Sequence, residues 1–193
     1  MRLYIGLVHY PVYNKNRQTI ASAVTTFDLH DISRLARTYG VKKFFVVTPL
    51  DNQRALVERV RKHWTEGYGA AYNVHRKQAL ELVSVVPSLD QAIVAINGQE
   101  GETPLVVATD AVKQLRHSIS YDSLSRVIQK GALVFLLFGT AWGLDASVLA
   151  EADHVLDPIQ GRSGYQHLSV RAAAAIILDR LTGDRIPSGR PVQ

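Results

Sequence analysis

A segment near the N-terminus places two carboxylates and a cation at helical spacing. Asp28, Asp31 and Arg34 follow one another at every third position, so on a helix begun near Asp28 they lie about one turn apart. A carboxylate beside a guanidinium can act as a general acid or base while the cation binds a phosphate or offsets developing charge. The same spacing also fits a capping Asp28 followed by solvent-exposed pairs, and both interpretations stay open.

Two glycine-bearing segments each follow a short apolar run in the last third of the chain. They comprise residues 138–144 and 159–168, and the second leads into a helix predicted to begin at Ser169. Glycine lets backbone groups approach a ligand, and a helix N-terminus offers unpaired N–H groups to an anion. Loops at the carboxyl ends of neighbouring strands form one crevice in open α/β sheets. The pair therefore predicts a nucleotide-like ligand site, although the first loop alone also fits an ordinary turn.

Basic and aromatic residues gather in the middle of the chain, around residues 64–73, which we predict to form a long loop. Cations for phosphates and aromatic rings for unstacked bases are what single-stranded RNA recognition uses. A charge run on a helix face is also an ordinary solvated surface. The candidate RNA-binding residues are Arg61, Lys62, Tyr68, Tyr72, Arg76 and Lys77.

The composition excludes several kinds of chemistry. The 193 residues include no cysteine, which rules out disulfides and thiol nucleophiles. No dinucleotide-binding, P-loop or nucleophile-elbow motif is present, and the histidine spacing predicts no metal site. A net charge of +5 favours a polyanionic partner. The N-terminus fits neither a signal peptide nor a membrane span, so we expect a cytoplasmic protein.

The elements that must position these residues form an alternating pattern. Apolar runs without period-two alternation predict strands buried on both faces of a mainly parallel sheet; they are residues 3–8, 44–47, 82–86, 105–108, 133–138 and 154–156. Between them, Ser88 predicts a helix that Gly98 would end, and Ser169 begins a helix with one apolar stripe. We predict a single α/β domain over residues 1–193, with helices on both faces and a flexible tail at 183–193.

The order of the two glycine loops, LLFGTAWGL and then IQGRSGYQHLSVRAAAAI, resembles the second and third motifs of the SPOUT superfamily of RNA methyltransferases. Asp28, Arg34 and Gly40 stand at the spacing of the N-x-x-x-x-x-R-x-x-x-x-x-G motif of its TrmH branch, with Asp in place of Asn. The D-L-H-D-I-x-R and G-Y-G-x-x-Y-N segments resemble a bacterial family of tRNA (guanine-N1)-methyltransferase-like proteins, some of which are fused to TrmD.

This resemblance implies a C-terminal part tied in a deep trefoil knot that binds S-adenosylmethionine (SAM). It also implies a homodimer with the active site at the interface, an RNA substrate, and TrmD as a possible partner. The cofactor-binding residues that it implies are Thr109, Phe138, Gly139, Gly143, Leu144, Ile159, Tyr165, His167, Leu168 and Ala173.

Departures from the TrmH pattern favour methylation of a base over methylation of ribose. TrmH-type ribose methyltransferases usually carry Glu and Asn where this chain has Ala141 and His167, and their first loop is one residue longer. Methylation of guanine N1 requires removal of a proton, which Asp28 or Asp31 could accept while Arg34 holds a phosphate or offsets charge on O6. A ribose 2′-O-methyltransferase acting on tRNA or rRNA and a non-catalytic RNA-binding module remain the alternatives.

Overall fold

A seven-stranded parallel sheet forms the centre of the computed structural model, which describes residues 1–163 and 165–183. The sheet order is β5-β4-β1-β8-β6-β9-β7, and β2 and β3 form a separate hairpin. In chain order the elements are β1 (Leu3–Val8), β2 (Val12–Tyr13), β3 (Thr19–Ile20), α1 (Thr26–Thr38), β4 (Lys43–Val47), α2 (Asp51–Thr65), α3 (Tyr68–Tyr72), α4 (Val74–Leu80), β5 (Val83–Val86), α5 (Leu89–Glu100), β6 (Leu105–Thr109), β7 (Ser118–Ile119), α6 (Tyr121–Gln129), β8 (Val134–Gly139), α7 (Ala146–Glu151), β9 (His154–Leu156) and α8 (Val170–Thr182).

Helices cover both faces of this sheet. Side chains of α1, α2, α4, α6 and α8 pack in one buried cluster, and those of α5 and α7 pack in a second cluster on the other face. Burial on both faces explains why the strands are continuous apolar runs rather than alternating ones. The predicted α/β class, with a mainly parallel sheet and helices on both faces, is therefore confirmed.

Gly98 does not end α5, contrary to the sequence prediction. The helix continues to Glu100 and ends at Gly101, which has φ +77°. Nothing lies within 4 Å of the position that a Cβ of Gly98 would take, so this glycine occupies an ordinary exposed helical position. A helix ends where the backbone turns left-handed, and Gly101 makes that turn.

Residues 64–73 are not a long loop, which corrects a second prediction. α2 extends to Thr65, and α3 forms a further short helix over Tyr68–Tyr72. Gly69 packs so closely on Trp64 that a Cβ there would lie 2.7 Å from the Trp64 ring. The glycine therefore allows close helix packing rather than breaking the structure. Two-residue strands such as β7 were not predicted because they are too short to show a pattern.

None of the helices in the described ranges is both long and apolar enough to cross a bilayer. The tail that we predicted to be flexible lies, except for Gly183, outside the described residues.

A cluster of charged side chains joins β1 to the end of α5, at the edge of the sheet where β1 begins. The Tyr4 hydroxyl donates to Glu100 Oε1 over 2.6 Å, Arg2 Nε donates to Oε2 over 3.0 Å, and Lys42 Nζ lies 3.3 Å from Oε1. Donation from Tyr4 and then Arg2 stabilises the carboxylate and lowers the pKa of Glu100 to about 2.

Glu100→Gln should lower the thermal stability at neutral pH because it removes this stabilised carboxylate. The ordinary pKa of Glu100 is near 4.5, so its ionic contribution is complete above that pH and is lost as the pH falls to about 2. Thermal unfolding of both proteins from pH 7 to pH 2.5 measures this. The difference between them should narrow below pH 4.5, and a difference that does not change with pH would contradict an ionic role.

Candidate active site

A cleft of about 930 Å³ opens at the carboxyl ends of β1, β6, β8 and β9. Its walls come from the loop after β8, from residues 157–159 after β9, from residues 166–170 at the start of α8, and from the segment leading into α1. Ligands bind at this edge in open α/β sheets. The two glycine loops therefore meet at one cleft, as the sequence predicted.

The loop after β8 takes its shape from two glycines. A Cβ on Gly139 would lie 2.7 Å from the backbone nitrogen of Leu144, so the chain can return this closely only at a glycine. Gly143 has φ +99°, which side chains rarely adopt, and its N–H donates to the carbonyl of Thr140 over 3.0 Å. The resulting turn leaves main-chain groups exposed to the cleft.

Eight of the ten predicted cofactor-binding residues line the cleft; they are Thr109, Phe138, Gly139, Gly143, Ile159, His167, Leu168 and Ala173. Leu144 and Tyr165 do not. Leu144 is buried in the core on the α5 and α7 face, where the tight turn at Gly139 directs it. Tyr165 is 71% exposed and packs edge-on against His167, with 5.4 Å between ring centroids.

The cleft residues fit a ligand that carries an adenosine. Phe138, Ile159 and Leu168 supply apolar surface, and the turn ended by Gly143 supplies backbone groups that no side chain covers. Binding pockets for small molecules combine such apolar walls with a few polar groups and have volumes of several hundred cubic ångströms. These residues would hold the adenosine and methionine parts of SAM between the two loops.

Asp28 is the predicted catalytic residue that lies in the cleft. Thr25, not Asp28, caps α1, because its side-chain oxygen accepts the backbone N–H of Asp28 over 3.2 Å. The Thr25 hydroxyl then donates to Asp28 Oδ2 over 2.7 Å. Asp28 is 9% exposed and lines the cleft. The interpretation of Asp28 as a helix cap is therefore wrong, and Asp28 lines the same cleft as the two glycine loops.

Arg171, on α8, joins the two aspartates of α1 and was missed by the sequence analysis. Its Nε lies 3.3 Å from Asp28 Oδ1, and its Nη1 donates to Asp31 Oδ2 over 3.0 Å. Asp31 is half exposed and Arg34 is exposed, and neither lines the cleft. The three predicted catalytic residues are therefore not together: Asp28 faces the cleft, Asp31 anchors Arg171, and Arg34 faces outward. Arg171 lies within the segment IQGRSGYQHLSVRAAAAI, just after the predicted helix start, but its spacing there did not indicate contact with the aspartates of α1.

A buried polar chain links the end of β1 to the glycine loop. His9 Nδ1 lies 3.0 Å from the Ser22 hydroxyl, which lies 2.6 Å from the Thr140 hydroxyl, and Thr140 donates to the carbonyl of Val8 over 2.9 Å. Burial lowers the pKa of His9 to about 4, so its ring is neutral at neutral pH. These hydrogen bonds fix Thr140, and with it the loop after β8, against the sheet. The sequence analysis did not identify this network, although the polar His9 directly after the apolar strand β1 was a signal for it.

The predicted RNA-binding residues lie together on α2, α3 and α4, outside the cleft. Tyr68 and Tyr72 are exposed and stack on each other, with ring centroids 6.0 Å apart. The Arg76 guanidinium lies 4.4 Å from the centre of the Trp64 ring. Glu58 pairs with Arg61, Glu81 lies 4.0 Å from Lys77, and Lys62 is exposed; these complete the predicted set. The structure therefore places these residues on three helices that pack against one another.

The fold is that of a SpoU-type methyltransferase. The structure resembles a TrmH/SpoU tRNA modifying enzyme of Aquifex aeolicus with a TM-score of 0.57 and 17% sequence identity, covering 95% of this chain and 75% of that one. At this identity the likeness concerns the fold alone.

The chain belongs to the family described as SAM-dependent RNA methyltransferase, which it matches over residues 2–183. It is 42% identical over 184 residues to a protein of Oleidesulfovibrio alaskensis named tRNA (guanine-N(1)-)-methyltransferase, covering 95% of this chain and 43% of that protein. An uncharacterised protein of Aquifex aeolicus is 39% identical over 180 residues, which cover 93% of this chain and 87% of that protein. The chain thus spans less than half the length of the first relative. The prediction that the chain belongs to a family of SAM-dependent RNA methyltransferases is confirmed.

Proposed function

We propose that this chain transfers a methyl group from SAM to N1 of a guanine in tRNA. The observation that carries this proposal is the position of Asp28, a fixed and nearly buried carboxylate that lines the same cleft as the glycine loops. The relative named tRNA (guanine-N(1)-)-methyltransferase supports the choice of tRNA and of N1.

SAM supplies a methyl group that is already activated by its sulfonium, so the protein need not activate the donor. Guanine N1 carries a proton at neutral pH, and this proton must leave as N1 forms its bond to the methyl carbon. Asp28 would accept that proton on a carboxylate oxygen, while SAM would supply the methyl group and leave as its neutral thioether. Most of the remaining rate enhancement comes from alignment of N1 with the methyl group.

Asp28 is better placed than Asp31 to be the base. Thr25 donates to Oδ2 and Arg171 contacts Oδ1, which uses one acceptor position on each oxygen and leaves others for the substrate. Asp31 does not line the cleft and holds the far side of the Arg171 guanidinium. Arg171 therefore acts as a positioning residue that fixes the direction of the Asp28 carboxylate.

Incubation of the purified protein with labelled SAM and total RNA from cells lacking it tests this function. We expect label in tRNA, recovered as N1-methylguanosine after digestion to nucleosides. Label in a ribose-methylated nucleoside would contradict base methylation. SAM binding without any transfer would favour the non-catalytic module.

Asp28→Asn should lower kcat about 100-fold or more, because an amide keeps the shape of the side chain but cannot accept the proton. Asp31→Asn is the matched control and should cause a much smaller loss. Calorimetry with SAM should give the same affinity for both variants, which excludes misfolding as the cause. Equal activity of Asp28→Asn and the wild type would contradict the assignment of the base.

We also propose that the protein is a homodimer whose second subunit supplies Arg34. Arg34 lies on the outward side of α1 together with Phe27, which is 68% exposed. Tyr165 and Leu168, beside the cleft, are exposed as well. A surface that carries large apolar side chains is typical of an interface. An arginine on it can reach reacting groups only across that interface.

Mixing inactive Arg34→Ala and Asp28→Ala subunits tests the shared site. If Arg34 of one subunit serves Asp28 of the other, each mixed dimer keeps one intact site, and random exchange should restore about a quarter of wild-type activity. Reassociated samples of each variant alone are the controls and should stay inactive. Absence of recovery, with mixed dimers demonstrated by differently tagged subunits, would place both residues in the same subunit or exclude Arg34.

We propose a trefoil knot in the C-terminal part, supported by the SpoU-type fold and by the passage of the chain from α7 on one sheet face to α8 on the other. We also propose TrmD as a partner. The Oleidesulfovibrio relative is more than twice as long as the matched segment and could contain a further domain, which is compatible with this proposal. A tRNA substrate places the protein in the cytoplasm.

A further inference from the structure

The hairpin formed by β2 and β3 stands at the mouth of the cleft, and the sequence analysis did not single it out. Asn14 holds its turn, because Asn14 Oδ1 accepts two backbone N–H groups at 2.8 and 3.0 Å. Tyr13 joins the hairpin to the glycine loop: its N–H donates to the carbonyl of Gly143, and its carbonyl accepts the N–H of Trp142, each over 3.0 Å. Hairpin and loop therefore form one continuous structure, and we call Tyr13, Arg17 and Trp142 the entry rim.

Arg17 gives this rim a positive charge. Its guanidinium lies 4.2 Å from the centre of the Tyr13 ring, and the residue lines the cleft. Among the cleft-lining residues that the structure describes, Arg17 is the only arginine or lysine, whereas Asp28, Asp110 and Asp157 are all acidic. Within the described residues Arg17 makes no ion pair. Stacking on an aromatic ring holds the plane of a guanidinium and leaves its N–H edge available for an anion.

Trp142 gives the rim an exposed aromatic surface. It is 60% exposed although it lies in a loop whose backbone is fixed on both sides, and it lines the cleft. Leaving a large indole in water forgoes the free energy of burying it, so an exposed tryptophan at a cleft suggests a surface that a ligand covers. The flat surfaces that stack best on tryptophan in an RNA-modifying protein are nucleobases.

We propose that the entry rim is the subsite for the nucleotides that flank the methylated base, with Arg17 bound to a phosphate and Trp142 stacked on a neighbouring base. This inference rests on the proposed RNA substrate. Two of the three carboxylates already have a cationic partner, since Arg171 contacts Asp28 and the Lys113 ammonium lies 3.4 Å from Asp157. Arg17 lines the described part of the cleft without such a partner, so its charge is available for the phosphate of an incoming RNA. Because the hairpin and the glycine loop are hydrogen-bonded to each other, RNA bound at the rim would be fixed relative to the loop whose residues would hold SAM.

Arg17→Ala tests the phosphate contact with total tRNA as the probe. We expect the KM for tRNA to rise about tenfold with little change in kcat, and the slope of log affinity against log salt to decrease by about one. Arg17→Lys should restore part of the affinity, because it keeps the charge but loses the planar stacking on Tyr13. The control is Lys130→Ala, which removes an exposed positive charge just before β8 begins, at the end of the strand away from the cleft.

An unchanged tRNA affinity and salt slope in Arg17→Ala would overturn the proposal. A loss of SAM affinity in calorimetry without tRNA would overturn it too, because it would assign Arg17 to the cofactor carboxylate. These outcomes differ from failure of the proposed function, which would appear in the wild type as absence of tRNA binding or methylation.

Trp142→Ala and Trp142→Phe test the stacked base independently. Both replace an exposed side chain, so the fold should be preserved and thermal unfolding can confirm it. We expect Trp142→Ala to weaken tRNA binding roughly tenfold, and Trp142→Phe to keep most of the affinity because phenylalanine also stacks. Equal affinity of the alanine variant and the wild type would overturn the role of Trp142.

Discussion

The close return of the chain after β8 is the constraint on which the site depends. The backbone nitrogen of Leu144 comes so near to Gly139 that a Cβ there would lie 2.7 Å away. Loosening this turn would change three things at once, since it buries Leu144, presents the backbone around Gly143 to the cleft, and brings Trp142 to the hairpin. The absence of a Cβ at Gly139 therefore determines the shape both of the cleft wall formed by this loop and of the surface around Trp142.

The polar chain from His9 to Thr140 strengthens the same turn from the other side. The Ser22 hydroxyl contacts both Nδ1 of the neutral, buried His9 and the Thr140 hydroxyl, close to Asp28. Buried hydrogen bonds of this kind contribute modestly in sum but are costly to break, since each broken partner leaves a polar atom without water. The loop is thus held in place before any ligand binds, and such preorganisation reduces the entropy that binding would otherwise cost.

The main elements of the fold could be predicted from the sequence because strands buried on both faces show themselves as uninterrupted apolar runs. The region 3–8 coincides with β1, and the glycine loops were found because glycine permits the tight turns and close backbone approaches that other residues do not. Arg171 could not be predicted, since its contacts with Asp28 and Asp31 join residues some 140 positions apart. The hairpin could not be predicted for a different reason. β2 and β3 have only two residues each, and the hydrogen bonds that stabilise them are made with Gly143 and Trp142, which lie far away in sequence.

Arg17, which lines the cleft, and Arg171, which contacts Asp28 beside it, have different electrostatic roles. Arg171 contacts both aspartates of α1, so its positive charge offsets the negative charge of the Asp28 carboxylate, which is the proposed base. Its guanidinium therefore has little capacity left for an incoming phosphate. Arg17 stacks on an aromatic ring without an ion pair in the described chain, so its charge remains directed outward. A positively charged protein can therefore keep an acidic cleft, because attraction of the RNA and removal of the proton are carried by different residues. The net charge of the protein does not predict either role, because the role of each arginine depends on the partner that its guanidinium already has.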